Sequence, residues 1–370
     1  MKKTIVFISP GPTYRPHSEL YESQFKELSK NFRGYIFTTS SISETFPIGD
    51  FTYRSMKYYS SKFRVLFFLF FCIWNAFGFL SKREKIDLVI SYDPFLTGTI
   101  GCIISFILRA KFVPEVNGVY TSDAEWLDLP DTIGIRLKRI GYDWIMRFVL
   151  KHSDGIKLLF REQVDPFKNI IKGKTIRDYP CFVPIDNFKN ICENKEVLFV
   201  GFPFKRKGVD LLIEAFKAIA PKHPDWKLKI LGWYPDPDEL TRAIDGHSQI
   251  YHQKPVPHQE MPQHIGSCAI LVLPSRSEAM GRVLVEAMAA GKPRIGANVD
   301  GIPTVIQHGV DGLLFERENI DDLAEKLDML MSNPDLRHKL GSAGEMRARK
   351  EFTKEEYVRN LTDFCNKVLN

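Results

Sequence analysis

Residues 274–305 read PSRSEAMGRVLVEAMAAGKPRIGANVDGIPTV, and two glutamates, Glu278 and Glu286, lie eight positions apart within this stretch. The run before it, Ala269 to Leu273, is short, apolar and partly β-branched, which predicts a buried strand that ends at the following Pro-Ser pair. The run after Gly281 ends in Gly and Pro, the usual stop of a helix. The two glutamates therefore flank a turn from strand to helix.

The chemistry of this turn predicts a site for a nucleotide sugar. Gly281 has no side chain, so backbone N–H groups at the start of the following helix can approach a ligand closely. That end of a helix carries partial positive charge and attracts a phosphate. Glu286 lies about one helical turn further on, where it can accept hydrogen bonds from ribose hydroxyls, and Glu278 lies in the loop beside the sugar or phosphate. The spacing alone is also common on solvated helix faces, so the surrounding pattern carries the argument.

This segment closely resembles the carboxyl-terminal signature of glycosyltransferase family 4, whose two glutamates are separated by seven residues. The resemblance implies an α/β protein of the GT-B fold, with two Rossmann-like domains that face each other across a cleft. It also implies transfer of a sugar from a UDP- or GDP-sugar to a hydroxyl, with retention at the anomeric carbon and without a metal. Glu278 is then expected in the catalytic centre and Glu286 on the donor ribose.

A second stretch, VGFPFKRKGVD at 200–210, resembles the donor-binding loop of the same family. The Lys-Gly pair at Lys207 matches, whereas Phe202 occupies the position where the family commonly has an arginine. A positioned lysine can stabilise the charge that accumulates on a diphosphate leaving group, so we assign Lys207 to catalysis. Lys205 or Arg206 is expected to replace the missing arginine in donor binding, although a solvated basic loop would read in the same way.

Three further places complete the expected site. The turn DGIPT at 300–304 resembles a family turn whose backbone amides lie near the leaving phosphate, which assigns Gly301 and Ile302 to the donor, although an ordinary turn has the same pattern. Gly11 follows the first strand, where open α/β sheets place ligands, and is expected near the donor phosphate or the acceptor. Asn117 occupies the place of a family histidine or Arg-Asp pair and can only form hydrogen bonds. Glu125 is interpreted as part of an exposed loop.

The whole chain fits this assignment. With 370 residues, 44% of them hydrophobic and 26% charged, it is globular in composition and long enough for two domains. Short apolar strands alternate with helices from Thr4 onward and restart at Glu196, which predicts two parallel sheets covered by helices. We expect an acceptor-side domain at 1–182 and a nucleotide-sugar domain at 183–352. A final helix at 353–370 is expected to cross back to the first domain, as the resemblance implies.

Composition also excludes several classes of protein. The six cysteines are dispersed, without a CxxC pair or a histidine cluster, so neither a disulfide framework nor a metal site is indicated. No cofactor is expected apart from the donor substrate. The net charge of +6 suits nucleotide phosphates or an anionic membrane surface and is too small and dispersed to argue for nucleic acid. The first apolar run, Ile5 to Ile8, is far too short for a signal peptide, which favours a cytoplasmic protein.

One apolar segment, VLFFLFFCIWNAFGFL at 65–80, has two interpretations. It falls short of the ~20 residues that a spanning helix needs and contains Asn75, so it is either a buried core helix or a helix partly inserted into one membrane face. We favour insertion, because aromatic side chains and flanking basic residues suit the interface. The expected protein is peripheral on the inner face of the cytoplasmic membrane. Its expected acceptor is a lipid-linked glycan, in surface polysaccharide or glycolipid assembly. The flanking basic residues are Lys62, Arg64, Lys82, Arg83 and Lys85.

Two alternatives stay open at this stage. One is another enzyme of the GT-B fold, a phosphorylase or a sugar-nucleotide epimerase, although nothing identifies the lysine site that a pyridoxal-dependent phosphorylase needs. The other is a catalytically silent scaffold that binds a nucleotide sugar or a partner glycosyltransferase at the membrane. Phe202 and Asn117 both depart from the family pattern and keep the scaffold under consideration.

Overall fold

The computed structural model describes residues 2–9, 11, 19–58 and 63–370. Contacts divide the chain into two units. The first consists of Met1–Asn117, Asp131–Cys181 and Lys354–Asn370, and the second of Gly118–Pro130 and Phe182–Thr353. The interdomain boundary lies within one residue of the expected 182/183. The segment 118–130 departs from the expectation, because it belongs with the second unit.

The first unit is built on one sheet. Its strands are β1 (Lys3–Ile8), β2 (Phe32–Ser40), β3 (Thr45–Ile48), β4 (Phe51–Lys57), β5 (Leu88–Ser91), β6 (Lys111–Val116), β7 (Gly155–Leu158) and β8 (Thr175–Asp178). In the described residues they are ordered β3-β4-β2-β1-β5-β6-β7-β8. All neighbours are parallel except β3 and β4. The strand order reverses between β1 and β5, where such sheets open a crevice at their carboxyl ends.

Helices cover both faces of this sheet. They are α1 (Glu19–Leu28), α2 (Arg64–Ser81), α3 (Leu96–Leu108), α4 (Ile133–His152) and α12 (Lys354–Leu369). Buried residues of α2, α3 and α4 share one apolar cluster with the sheet, for example Phe68, Ile104 and Val149. Residues of α1 and α12, such as Phe25 and Phe364, share the cluster on the other face. The carboxyl-terminal helix is thus part of the first unit.

The second unit has its own parallel sheet. Its strands are β9 (Glu196–Val200), β10 (Lys227–Leu231), β11 (Ile250–Gln253), β12 (Ile270–Leu273), β13 (Arg294–Ala297) and β14 (Leu313–Phe315). Its helices are α5 (Val209–Ile219), α6 (Pro237–Ile244), α7 (Met261–Ser267), α8 (Arg282–Ala289), α9 (Ile302–Val305), α10 (Ile320–Ser332) and α11 (Pro334–Glu351). Within the described residues the order is β11-β10-β9-β12-β13-β14. The order reverses between β9 and β12, as in a Rossmann fold.

The apolar segment at 65–80 forms most of α2, which packs on the sheet and is also exposed. Among the described residues, Arg64–Ser81 is the one helix that is long and apolar enough to cross a membrane by length and composition. One face is buried against the sheet. The opposite face is apolar and exposed, with Trp74 80% accessible. The outward-facing large apolar residues of α2 are Val65, Leu66, Phe67, Phe70, Trp74, Phe77 and Leu80.

Candidate active site

The two turns identified from the sequence lie side by side, because β9 and β12 are neighbours in the sheet. Gly208 makes the close approach possible. Its φ is +68°, and a Cβ on it would lie 2.0 Å from the carbonyl oxygen of Pro274. The backbone N–H of Arg276 donates to the carbonyl of Arg206 at 2.8 Å, which ties the turns together. The segments 201–208 and 274–281 therefore form one edge at the switch point of the sheet.

The predicted catalytic residues meet at this edge. The Lys207 ammonium donates to the Glu278 carboxylate, and the two side chains are only 14% and 12% exposed. Burial alone would raise the pKa of Glu278, but the adjacent Lys207 and the nearby Arg206 hold it below its ordinary value. Glu278 is therefore a carboxylate across the neutral pH range. The pair places one positive and one negative group where the two turns touch.

Lys205 and Arg206 divide between structural and site roles. The Lys205 ammonium lies 3.1 Å from Asp210 in the first turn of α5, and the guanidinium of Arg276 lies 2.8 Å from the same carboxylate. Burial alone would raise the pKa of Asp210. The hydrogen bonds from Arg276 and Lys205 outweigh this effect and hold the pKa below its usual value. This network braces the two turns. Arg206 is the second cation near Glu278, whereas Lys205 pairs with Asp210.

Sequence reasoning missed two acidic residues at this edge. Glu125 accepts a hydrogen bond from the Ser277 hydroxyl at 3.0 Å and forms an ion pair with Arg206 at 3.3 Å. Asp128 accepts hydrogen bonds from two backbone N–H groups of the 201–208 loop. The expected exposed-loop role of Glu125 is wrong, because the segment 118–130 folds onto the second unit. No local pattern could reveal contacts across about eighty positions of sequence.

Glu286 occupies the expected place on α8. Gly281 precedes the helix with φ +75°, a backbone conformation that favours glycine. Glu286 is 6% exposed. Its Oε1 lies 3.5 Å from Nε2 of His258, a neighbour that the sequence did not indicate. The carboxylate is thus buried one turn into the helix and has a polar partner.

The turn at 300–304 supports Glu278 with hydrogen bonds of its own. The Asp300 carboxylate accepts the backbone N–H of Glu278 at 3.1 Å. The N–H of Gly301 donates to the carbonyl of Glu278, and that of Ile302 donates to Val299, both at 3.0 Å. The two amides assigned to the donor phosphate therefore have backbone partners in this structure. The Gly301 amide fixes the backbone of Glu278, and the Ile302 amide closes the turn from Val299.

Phe202, which stands in place of the family arginine, forms an aromatic pair with Trp233. Their ring centroids are 5.2 Å apart, and the two side chains are 45% and 56% exposed. They follow the neighbouring strands β9 and β10, so they lie at the carboxyl edge of the sheet, and Phe202 belongs to the same 201–208 loop as Lys207. An exposed aromatic pair at that edge can stack on a flat or apolar ring face. Trp233 was not indicated by the sequence.

Gly11 and Asn117 lie in the first unit. Gly11 has φ +28°, and a Cβ on it would lie 1.9 Å from the carbonyl oxygen of Thr39, which accounts for the glycine. The residues that follow Gly11, at 12–18, lie outside the described residues. Asn117 donates to the Tyr92 carbonyl at 2.8 Å and accepts from the fully buried Lys157 at 2.9 Å. Asn117 is therefore a hydrogen-bonding residue held by its own unit, as its chemistry requires.

The arrangement can bind a polyanion and stabilise negative charge. Lys207 and Arg206 supply cations, and Glu278 and Glu286 supply buried acceptors for hydroxyl groups. In the part of the chain that the structure describes, no group of three or more His, Cys, Asp or Glu side chains is placed to hold a metal ion.

Comparisons with known proteins show the family of this chain. Residues 185–347 match the family described as Glycosyl transferases group 1. The chain is 30% identical over 282 residues to an uncharacterized glycosyltransferase of Methanocaldococcus jannaschii, covering 74% of this chain and 72% of that protein. It spans less than half the length of further curated relatives.

Solved structures confirm the fold. Sucrose-phosphate synthase from Thermosynechococcus elongatus is similar with a TM-score of 0.75 at 16% identity, over 99% of each chain. Anabaena HepE, solved in complex with UDP, is similar with a TM-score of 0.72 at 16% identity, over 99% of this chain and 100% of that one. The expected α/β architecture with two Rossmann-like domains is confirmed. On the extent of its similarity to the archaeal glycosyltransferase and on the family match, this chain belongs to the group 1 glycosyl transferases.

Proposed function

We propose that this protein is a retaining, metal-independent glycosyltransferase of family 4 that moves a sugar from a UDP- or GDP-sugar to an acceptor hydroxyl. The observation that carries the proposal is the ion pair of Lys207 and Glu278 at the switch point, with Glu286 buried one turn into the adjacent helix. Open α/β sheets bind ligands at this place. The complexes of HepE with UDP and with UDP-glucose support the choice of donor class.

The charges suit departure of a nucleoside diphosphate. As the glycosidic bond breaks, negative charge grows on the leaving phosphate, and Lys207 with Arg206 stabilises it more in the transition state than in the bound donor. Glu286 accepts hydrogen bonds from the ribose, and Glu278 orients Lys207 and the sugar. In a retaining reaction on one face, the leaving phosphate oxygen takes the proton of the acceptor hydroxyl as the new bond forms. No side-chain base is then needed at Asn117.

Turnover of the donor tests the proposal. Incubation with a panel of UDP- and GDP-sugars and glycan acceptors is expected to release nucleoside diphosphate. Lys207→Ala and Glu278→Ala should each lower kcat about 100-fold, the usual loss when one group that stabilises transition-state charge is removed. Proton NMR of the product should show the anomeric configuration of the donor, and EDTA should leave the rate unchanged. Binding without turnover for every donor and acceptor would instead favour the silent scaffold.

For the acceptor we propose a lipid-linked glycan, in surface polysaccharide or glycolipid assembly, with the enzyme peripheral on the cytoplasmic membrane. The exposed apolar face of α2 supports this, because a face with Phe67, Phe70 and Trp74 on the surface suits the membrane interface. The helix α4 adds exposed apolar residues in the same unit, including Leu137 and Trp144. Flotation of the intact protein with anionic liposomes tests the attachment, and recovery at the bottom of the gradient would contradict it.

A further inference from the structure

The loop before α5 already holds an anion that the chain itself supplies. The Asp128 carboxylate accepts the backbone N–H of Lys205 at 2.7 Å and that of Arg206 at 2.8 Å, one hydrogen bond on each oxygen. Two successive N–H groups that converge on one carboxylate form the kind of concave backbone site that binds phosphate. Lys207, the proposed contact of the donor diphosphate, is the next residue in the chain.

A second carboxylate of the same segment occupies the side-chain groups of the site. Glu125 Oε1 lies 3.3 Å from the Arg206 guanidinium and 3.0 Å from the hydroxyl of Ser277, which is fully buried. Burial raises the pKa of Glu125, while Arg206 and the Ser277 hydrogen bond oppose that shift. Both carboxylates thus take up donors from the two turns at which the diphosphate is proposed to bind.

We propose that the segment 118–130 is an internal competitor of the donor, in which Asp128 and Glu125 occupy the diphosphate subsite until a nucleoside diphosphate group displaces them. The inference rests on the proposed function, because that function places the diphosphate beside Lys207. A carboxylate and a phosphate cannot share the two backbone N–H groups. A diphosphate bound beside both carboxylates would also meet like charge at short range, which is strongly unfavourable in a partly buried site.

The competition has a measurable consequence. When a binding-competent state is only fractionally populated, the apparent affinity falls by that fraction. Release of Asp128 exposes the N–H groups of Lys205 and Arg206 to the phosphate, and its return after transfer helps to displace the nucleoside diphosphate product. The segment would thereby weaken the binding of phosphate-bearing ligands and leave the binding of an uncharged nucleoside unchanged.

Isothermal titration of the full-length protein with UDP, GDP and uridine tests this inference. Asp128→Ala is expected to tighten the binding of UDP, or of GDP if that is the donor base, about fivefold or more, because the lost hydrogen bonds no longer hold the competitor in place. Asp128→Asn keeps the shape of the side chain and loses its charge, so the increase in nucleotide affinity should be smaller than for Asp128→Ala. Uridine affinity should be the same in all variants. Asp225→Asn is the matched control, since it removes one surface charge from the opposite, amino-terminal edge of the sheet, just before β10.

Hydrogen exchange supplies a second readout that does not depend on a variant. In the wild-type protein, UDP or GDP should speed exchange of the amides at 122–128 as the segment leaves the site. Weaker or unchanged nucleotide affinity in a folded Asp128→Ala protein, or slower exchange at 122–128 on binding, would show that the segment braces the loop and overturn the inference. If wild type and variant both bind no nucleotide, the proposed function fails as well. Equal nucleotide affinity in the wild-type and Asp128→Ala proteins would contradict only the inference that the segment competes with the donor.

Discussion

The ion pair between Lys207 and Glu278 makes a residue-level prediction about stability and pH. The pKa of Glu278 is lower in the folded protein than its ordinary value, so the pair contributes stability above the unfolded pKa and loses it as the pH falls through the folded pKa. Lys207→Ala leaves a buried carboxylate without its main partner, which typically destabilises by about 3 kcal/mol. Urea unfolding at pH 7 should show that loss, and the difference from wild type should shrink below about pH 4.3.

A second lysine of the same loop is the control for this prediction. The Lys205 side chain is 43% exposed and shares Asp210 with Arg276, so Lys205→Ala should change the unfolding free energy by less than about 1 kcal/mol. Equal losses for the two lysines at pH 7, or a loss at Lys207 that does not depend on pH, would contradict the assignment of a buried charge pair.

Gly208 gives a second prediction at this scale, because its backbone lets the two turns touch. Gly208→Ala adds a Cβ that would lie 2.0 Å from the Pro274 carbonyl oxygen, so the loop must move away from its neighbour. Gly246→Ala is the matched control, since its φ of +65° is nearly the same and nothing lies within 4 Å of the new Cβ. We expect the control to lose about 1 kcal/mol and Gly208→Ala at least twice as much. Thermal unfolding of both variants measures the difference, and similar losses would refute the close approach.

The sequence located the candidate residues whose setting is local. Lys207 and Glu278 lie on strand-to-helix turns and Glu286 lies in the helix that follows, and apolar runs with glycine mark such turns. Asp128 and Trp233 could not be found in this way. Their relevance comes from strand order, which brings the ends of β9, β10 and β12 together, and from long-range contacts that no short motif records.

At the scale of elements, α2 has the buried face of a core helix, and the membrane contact expected of its exposed apolar face stays a prediction. Asn75, which interrupts the apolar run, is buried in the structure. Its Oδ1 accepts a hydrogen bond from Arg54 of β4 at 2.5 Å, and its Nδ2 donates to the carbonyl of Phe71 at 2.8 Å. The helix is thus fastened to the sheet by a polar contact on its buried face. Periodicity could not separate the faces, because both are apolar.

The buried and exposed faces of α2 predict different effects of substitution on stability and on membrane attachment. Asn75→Ala removes the acceptor of the Arg54 guanidinium and should cost about 1–3 kcal/mol of unfolding free energy while liposome flotation persists. Phe67→Asp with Trp74→Asp should abolish flotation and leave thermal stability within a few degrees of wild type, since both side chains are exposed. Met346→Asp, on an exposed site of α11, is the control for an added surface charge. Flotation that survives the double substitution would rule out α2 as the membrane contact.

Elements with simple patterns were predicted well, and elements that depend on pairing were not. The strands β1, β9 and β12 are short apolar runs, and the structure confirms them within one or two residues. The β3–β4 hairpin was missed, because Pro47 lies inside β3 and the alternation of apolar and polar residues in β4 extends only from Phe51 to Arg54. The helix α4 was also missed, because much of its apolar surface is exposed rather than packed on the sheet.

For the whole molecule, the path of the chain limits what the sequence could predict. The chain passes from one unit to the other after Asn117, Pro130, Cys181 and Thr353. The restart of the strand pattern at β9 indicated the third crossing. The first two, which carry 118–130 into the second unit, occur between an ordinary strand and an ordinary helix. The contacts of the Asp128 and Glu125 carboxylates, which no local pattern indicates, help to hold that segment on the second unit.

Ligand linkage gives the last prediction, which concerns the protein as a whole. A nucleotide that binds only the folded state stabilises it by RT ln(1 + [L]/Kd), so each tenfold increase in UDP or GDP above Kd should add about 1.4 kcal/mol. The Tm in differential scanning calorimetry should therefore keep rising with the logarithm of nucleotide concentration. Glu286→Ala should need a higher concentration for the same rise, because the proposed function makes this buried carboxylate the acceptor of the ribose hydroxyls. A Tm that does not respond to any nucleoside diphosphate would contradict a donor site in the folded protein.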